Sequence, residues 1–359
     1  RSAECLWRNQ PLSHPRLEFV CTVCEEVGME GATGIDVSML KGKKLLNMDS
    51  EEEGVMLASC AGGCRADVKL PVERETVSGT KLTVSLSGLT GGHSGSEIDK
   101  GRGNANTLMS RLLRDASAPV AIASIDGGRK DNAIPRECTA QIIVAPDEAA
   151  AVKASIEQAA AEIAEEFKAS DPDLKLAVSE ETDCSESAIS AKDSARVIAL
   201  IEALPNGIIR MSREIDKLVE TSLNLGVLKS DAAAVTLRYA VRSSVGVAKK
   251  SLKNQLVCIA DAFAAEVTFE GDYPAWEYKK DSKLREDMVR IFEEMYGKKP
   301  TVEAIHAGVE CGLLSGKIEG LDCISMGPDM YDIHTTEERL SISSAKRSYE
   351  YILRVIACK

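Results

Sequence analysis

Two apolar runs that each end in acid constrain this chain more than any other feature. Residues 17–23 read as a β-branched strand that leads straight into Cys24, Glu25 and Glu26. The pattern predicts a helical stretch over 30–40, then a second strand over 44–48 that stops at Asp49. Strand, helix, strand is the signature of a parallel α/β sheet, and ligands of such sheets gather beyond the carboxyl ends of the strands. The acids stand where chemistry is expected.

The middle of the chain changes character. Residues 81–87 alternate polar and apolar, as a half-solvated strand does. A glycine-rich loop follows, then a helix over 104–114, strands near 120–125 and 137–144, an alanine-rich helix over 147–167 and a strand at 174–178. The order recurs after Ser190, with a helix over 195–203, strands near 223–227 and 234–241, and a helix over 249–264. Two successive α+β units suggest an internal duplication without a residue-level repeat. The last part returns to α/β style, with a helix over 283–296, a strand over 321–326 and a final helix over 345–357 that is expected to bury Tyr349, Ile352, Leu353 and Ile356. The layout is an α/β fold: a mostly parallel sheet with helices over 1–74 and 269–359, interrupted by a large α+β insertion over 75–268 that divides into two lobes.

Composition narrows the partners. With 44% hydrophobic and 28% charged residues the chain is ordinary globular material, and its length suits about two domains. A net charge of −12 disfavours a broad grip on nucleic acid or on an anionic membrane, since both need clustered Lys and Arg. No apolar run is long enough to span a membrane. The opening Arg1–Trp7 has no apolar signal core and no initiator Met, so the sequence is expected to begin inside a longer reading frame. Eleven cysteines, scattered and odd in number, read as thiols in a reducing, cytoplasmic compartment. Cys21 and Cys24 are three apart on the expected strand and so point to opposite faces; they and the pair Cys60/Cys64 read as core thiols rather than a zinc site.

Only four histidines exist, His14, His93, His306 and His334, so any imidazole chemistry has to choose among them. His14 reads as surface loop, and His306 serves equally well as a buried structural residue or a site residue. His93 and His334 lie in polar loops, where sites concentrate. Of the neighbours Glu25 and Glu26, one can hold a cation while the other reaches a water on it, with Asp49 as a further oxygen ligand and His334 as a nitrogen ligand; the alternative is a solvated surface pair. The loop Gly91-Gly92-His93-Ser94-Gly95 lacks the lysine of a phosphate cradle, and Ser96 stands where a serine-hydrolase elbow needs glycine. It reads instead as presenting His93 as a hydrogen-bond donor to a substrate or oxyanion. Arg242 could pair with a substrate carboxylate, although spacing alone makes it a solvated surface residue.

Several strings together resemble the cytosolic aminoacyl-histidine (Xaa-His) dipeptidases, di-zinc metallopeptidases related to carboxypeptidase G and aminoacylase. They are His14-Pro15-Arg16-Leu17-Glu18, Glu25-Glu26-Val27-Gly28-Met29-Glu30-Gly31-Ala32, Asn47-Met48-Asp49-Ser50-Glu51-Glu52, Gly88-Leu89-Thr90-Gly91-Gly92-His93-Ser94-Gly95 and Asp131-Asn132-Ala133-Ile134-Pro135. Glu220-Thr221-Ser222-Leu223-Asn224-Leu225-Gly226, His306-Ala307-Gly308-Val309-Glu310-Cys311-Gly312 and His334-Thr335-Thr336-Glu337-Glu338-Arg339-Leu340 complete the series. The resemblance implies zinc, with Co or Mn as substitutes, a dipeptide substrate and a homodimer. It implies Glu25 as general base, Glu26 and His334 as ligands of one zinc and Asp49 as a ligand of the other. His93 would stabilise the oxyanion from a lid domain, the 75–268 insertion, while Arg242 and Asn132 hold the substrate carboxylate. The family's upstream His-x-Asp ligand and its metal-bridging Asp have no counterpart before Glu25, and Cys24 stands where relatives usually have Asp. Impaired metal binding and activity are therefore expected. An N-acyl amino-acid hydrolase and a non-catalytic peptide-binding remnant are the rival readings.

Overall fold

The computed structural model describes residues 13–25, 28–333 and 335–358. The chain divides into two compact units, one formed by everything up to Ala61 together with Tyr273 onward, the other by Gly62–Asp272. The first unit contributes α1 (Glu30–Gly34), β1 (Lys44–Asn47) and β2 (Val55–Cys60). The second unit runs β3 (Gly62–Pro71), β4 (Arg74–Ser87), β5 (Gly92–His93), α2 (Ala105–Arg114), β6 (Ala121–Gly127), β7 (Ala133–Ile134), β8 (Cys138–Val144), α3 (Ala149–Phe167) and β9 (Lys175–Ile189). It continues through α4 (Ala191–Ala203), β10 (Gly207–Met211), β11 (Val219–Ser230), β12 (Ala234–Ser243), α5 (Gly246–Ala262) and β13 (Glu266–Tyr273). The chain then re-enters the first unit with α6 (Lys283–Tyr296), β14 (Thr301–Ile305), α7 (Glu310–Lys317), β15 (Asp322–Ser325) and α8 (Ile342–Ala357).

The first unit is built on a sheet of order β1-β15-β2-β14, whose outer pairs are parallel and whose central pair is antiparallel. Helix α6 buries Leu284, Met288, Ile291 and Phe292, one face at the helical period, against Met56, Ala58 and Ile324 of the sheet. Its start is held twice. Ser282 caps the Arg285 amide, and buried Asp322 accepts both the Ser282 hydroxyl at 2.6 Å and the Leu284 amide at 3.0 Å. Gly297 ends it in the left-handed conformation.

Four expectations for this unit need correction. Residues 17–23 form no strand: Phe19 is 66% and Val23 69% exposed, and no ladder partner takes up the backbone among the described residues. The segment is tied instead by the Glu18 carboxylate, which accepts the amides of Lys41 and Gly42 at 2.9 Å each. Helix α1 is five residues long rather than spanning 30–40, because the chain turns at Asp36, whose carboxylate accepts the Ser38 amide. On α8 the fully buried residues are Ser344, Ser348, Tyr351 and Val355. Tyr349, Ile352, Leu353 and Ile356 are only half-buried and line a cavity of about 520 Å³ with Leu17 and Leu45. Cys21 and Cys24 are exposed, whereas Cys60 and Cys64 are buried, with burial pushing both buried thiols up and leaving them unreactive.

The second unit carries a nine-stranded sheet of order β13-β3-β12-β11-β6-β8-β4-β9, with β10 added beside β11. Its two halves have the same plan. In chain order the first half is β4-α2-β6-β8-α3-β9 and pairs as β6-β8-β4-β9; the second is β3-α4-β11-β12-α5-β13 and pairs as β11-β12-β3-β13. The first half is thus inserted between β3 and α4 of the second, and β6 and β11 join the halves edge to edge. This explains why the unit begins at Gly62 and closes at Asp272 rather than at 75 and 268: β3 pairs with β12 from Gly62 to Pro71 and is an interior strand of its half. A single apolar core runs beneath both halves, with the alternating Leu82, Val84 and Leu86 of β4 packed with Leu108 and Leu112 of α2, Val152 and Ile156 of α3, and Leu252 and Leu256 of α5. Replacing Leu82 by Ala should lower the stability of this unit by about 3 kcal/mol, read as a shift of its unfolding midpoint in denaturant.

Candidate functional site

In the first unit the parallel pairing of β1 with β15 brings Asn47 beside Ser325 at the carboxyl ends of both strands. Just beyond, Asp49 is exposed, and its amide donates to the Asn47 side chain at 2.8 Å. Glu25 is half-buried in a tight turn. Its carbonyl accepts the amides of Gly28 and Met29, while the Gly31 amide reaches back to Val23. Cys24 (φ 57°) and Met29 (φ 56°) both adopt the left-handed backbone that non-glycine residues avoid, so strain is concentrated on either side of Glu25. A side chain at Gly31 would place its Cβ 2.4 Å from the Val23 carbonyl oxygen, so only glycine closes the turn. The Thr22 hydroxyl anchors the turn by donating to Glu310 on α7 at 2.5 Å.

Glu26 and His334, two of the three expected metal ligands, lie outside the described residues. Among the described residues no group of three or more His, Cys, Asp and Glu is placed to hold a metal ion. The donor chemistry of the expected set, carboxylates with one imidazole, is of the kind zinc takes.

In the second unit the Gly91–Gly95 loop is held by side chains. Buried Asp171 accepts the amides of Thr90 and Gly103, each at 2.8 Å, and the Ser170 hydroxyl, closing the loop at both ends. Glu97 accepts the His93 amide at 2.8 Å and the Arg102 guanidinium at 2.9 Å, while Arg102 also donates to the Gly91 carbonyl. A Cβ at Gly92 (φ 138°) would stand 2.4 Å from Arg102, so this glycine admits the ion pair rather than a phosphate.

The imidazole is oriented. Its Nδ1 accepts amides from Gly95 (3.3 Å) and Ser96 (3.1 Å). Amides only donate, so the ring proton of the neutral form sits on Nε2, as an oxyanion donor requires. Burial, then the nearby Arg242 charge, pushes the His93 imidazole below its ordinary value, against the opposing pull of Glu97. The hydroxyl bonded to His93 is that of Ser96 (3.1 Å), whereas buried Ser94 Oγ has no partner among the described residues, which speaks against a serine nucleophile. Arg242 is 9% exposed between Ser222 and Gly63, not the solvated residue its spacing suggests, because β12 is an interior strand. The Asn132 side chain is exposed, and its carbonyl accepts the Ser94 amide at 2.9 Å. This unit therefore brings His93, Arg242 and the 132 loop into one neighbourhood. His306 is buried and His14 exposed.

Sequence reasoning missed Asp171, Glu97 and Arg102, which carry no motif. It singled out the Glu220–Gly226 string without a role for it. The depressed imidazole has a thermodynamic consequence. Its folded value lies below the 6.5 of a free histidine, so its contribution to stability is complete above about pH 6.5 and is lost as pH falls through the folded value. In an NMR titration His93 should report a midpoint below 6.5, and Arg242→Met should move that midpoint upward.

Comparison with known proteins places the chain. A family described as the peptidase dimerisation domain matches residues 84–171, within the inserted unit. The cytosol non-specific dipeptidase of Escherichia coli K12 is 34% identical over 347 residues, covering 96% of this chain and 71% of that protein. The crystal structure of the aminoacylhistidine dipeptidase of Vibrio alginolyticus superposes with a TM-score of 0.91 at 31% identity, covering 99% of this chain and 73% of that one. With that coverage at that identity, the chain belongs to the cytosol non-specific dipeptidase family of M20 metallopeptidases.

Proposed function

We propose that this chain carries the chemistry of a metal-dependent dipeptidase acting on Xaa-His-type dipeptides. The observation that carries the reading is the single-tautomer His93, neutral and with its Nε2 proton available in a loop locked by Asp171 and Glu97. A donor of this kind, rigid before substrate arrives, lowers the energy of a tetrahedral oxyanion. The buried guanidinium of Arg242 and the exposed amide of Asn132 suit a substrate carboxylate, Arg through its planar fork and Asn as a neutral donor.

Glu26 and His334 would hold one metal ion and Asp49 a second, zinc in the first instance with Co or Mn as substitutes, and a bound metal would supply a water acidic enough to attack at neutral pH. Glu25 then takes the proton from the attacking water and returns it to the leaving amine, a shuttle suited to a half-buried carboxylate. A catalytic zinc ordinarily takes three protein ligands, and these 359 residues contain no His-x-Asp pair. Metal affinity and turnover of this chain by itself are therefore expected to be low. Among the described residues no helix is long and apolar enough to cross a membrane. Similarity to a protein named a cytosol dipeptidase supports a cytoplasmic location. Two copies pairing as a homodimer fit the description of the matched domain.

Hydrolysis of β-Ala-His should require added divalent metal, fall by more than about a hundredfold in His93→Ala and become undetectable in Glu25→Gln. An N-acyl amino-acid hydrolase would instead prefer acetylated substrates over free-amine dipeptides, and peptide binding that survives without any turnover would identify a non-catalytic remnant.

A further inference from the structure

We propose that Asn224 is a positioning residue, the buried clamp through which the second half of the inserted sheet sets the loops that carry Asn132 and His93. The junction of the two halves needs such a device. The β6–β11 ladder comprises Leu228 opposite Gly127 and Lys229 opposite Asp126, and β11 has a bulge between Leu225 and Val227. Past that point the chain leaves β6 as the 128–132 loop and returns as β7, so backbone pairing no longer connects the halves there.

Side-chain amides take over. Asn224 is 1% exposed, and its Nδ2 donates to the carbonyls of Asp131 at 3.0 Å and Ala133 at 2.9 Å, on either side of Asn132. Its Oδ1 accepts from Asn104 Nδ2 at 3.2 Å, and Asn104 and Asn106 both donate to the Leu225 carbonyl. Gly226, at the bulge, permits the approach, since a Cβ there would fall 2.5 Å from the Asp131 backbone. On the half-exposed side of the loop Arg65 holds the Asp131 carboxylate at 2.9 Å. From the pinned loop the connection is direct. The Asn132 carbonyl accepts the Ser94 amide, and His93 pairs with Ala133.

The residue type follows from the geometry. Two donors on one nitrogen and an acceptor in the same plane meet three fixed partners, and all are out of water, where an unmade bond is costly. Aspartate would aim a carboxylate at two carbonyl oxygens. The importance of this clamp for function rests on the reading in which His93 and Asn132 touch substrate, but its existence is testable without turnover.

The test is amide hydrogen exchange and imidazole ¹⁵N shifts on the full chain. In Asn224→Ala the Ser94 amide should exchange about tenfold faster or more, and His93 should lose its single-tautomer pattern, while amides of β4 along β8 keep their protection. Ser110→Ala removes another buried bond of the same unit, to the Ile198 carbonyl, and should leave Ser94 and His93 unchanged. If Asn224→Ala does not fold, Asn224→Ser, which keeps one donor in less volume, is read in the same way. Unchanged Ser94 protection and His93 shifts in a folded Asn224 variant overturn the proposal, as does an equal effect of Ser110→Ala. Should the loop loosen as expected while His93→Ala retains full turnover, the clamp stands and the catalytic reading fails.

Discussion

A backbone amide taken out of water must find an acceptor, and the second unit satisfies that constraint with a handful of side chains. Asp171 closes the His93 loop at Thr90 and Gly103, Glu97 takes the His93 amide itself, and Asn224 holds the carbonyls flanking Asn132. Together they turn an irregular, glycine-rich stretch into a fixed surface, on which the Gly95 and Ser96 amides decide which imidazole nitrogen carries the proton. Orientation of this kind, established before a ligand arrives, is what distinguishes a reactive histidine from a solvated one.

The sheet that carries these loops is made of two halves of identical strand order, with one half inserted into the other. Insertion after β3 means that the second half assembles only when the chain returns at α4. Joining the halves through β6 and β11 buries an edge that each half alone would expose to other strands. One of the residual edges, β9, carries Glu180, Glu181 and Asp183, charges that discourage a second sheet from adding there.

In the first unit the carboxyl ends of β1 and β15 lie side by side and Asp49 follows β1 directly. The strained turn at Cys24 and Met29 keeps Glu25 half-buried. Open α/β sheets gather ligands at the carboxyl ends of their strands, and Asp49 stands at that rim.

Much of this was legible in the sequence because it depends on near neighbours. Period-2 alternation located β4, a helical face named the buried side of α6, and the ordered strings carried the family and the candidates Glu25, Asp49, His93, Asn132 and Arg242. The two-lobed plan could be suspected from the recurring order of elements. What failed did so for want of a partner that local sequence cannot name. An apolar β-branched run at 17–23 becomes a strand only if another strand is there to pair with it. Arg242 is buried because β12 has neighbours on both sides, and the buried face of α8, with Tyr351 and Val355, is set by which residues of the sheet it meets. The clamps Asp171 and Asn224 act over 68 and 93 residues of chain, and such long-range hydrogen bonds exist only once the sheet has closed. Sequence by itself determined the elements and the chemical inventory, because propensity and side-chain type are local properties. Tertiary structure alone decided burial, protonation site and loop geometry, because those depend on groups brought together across the fold.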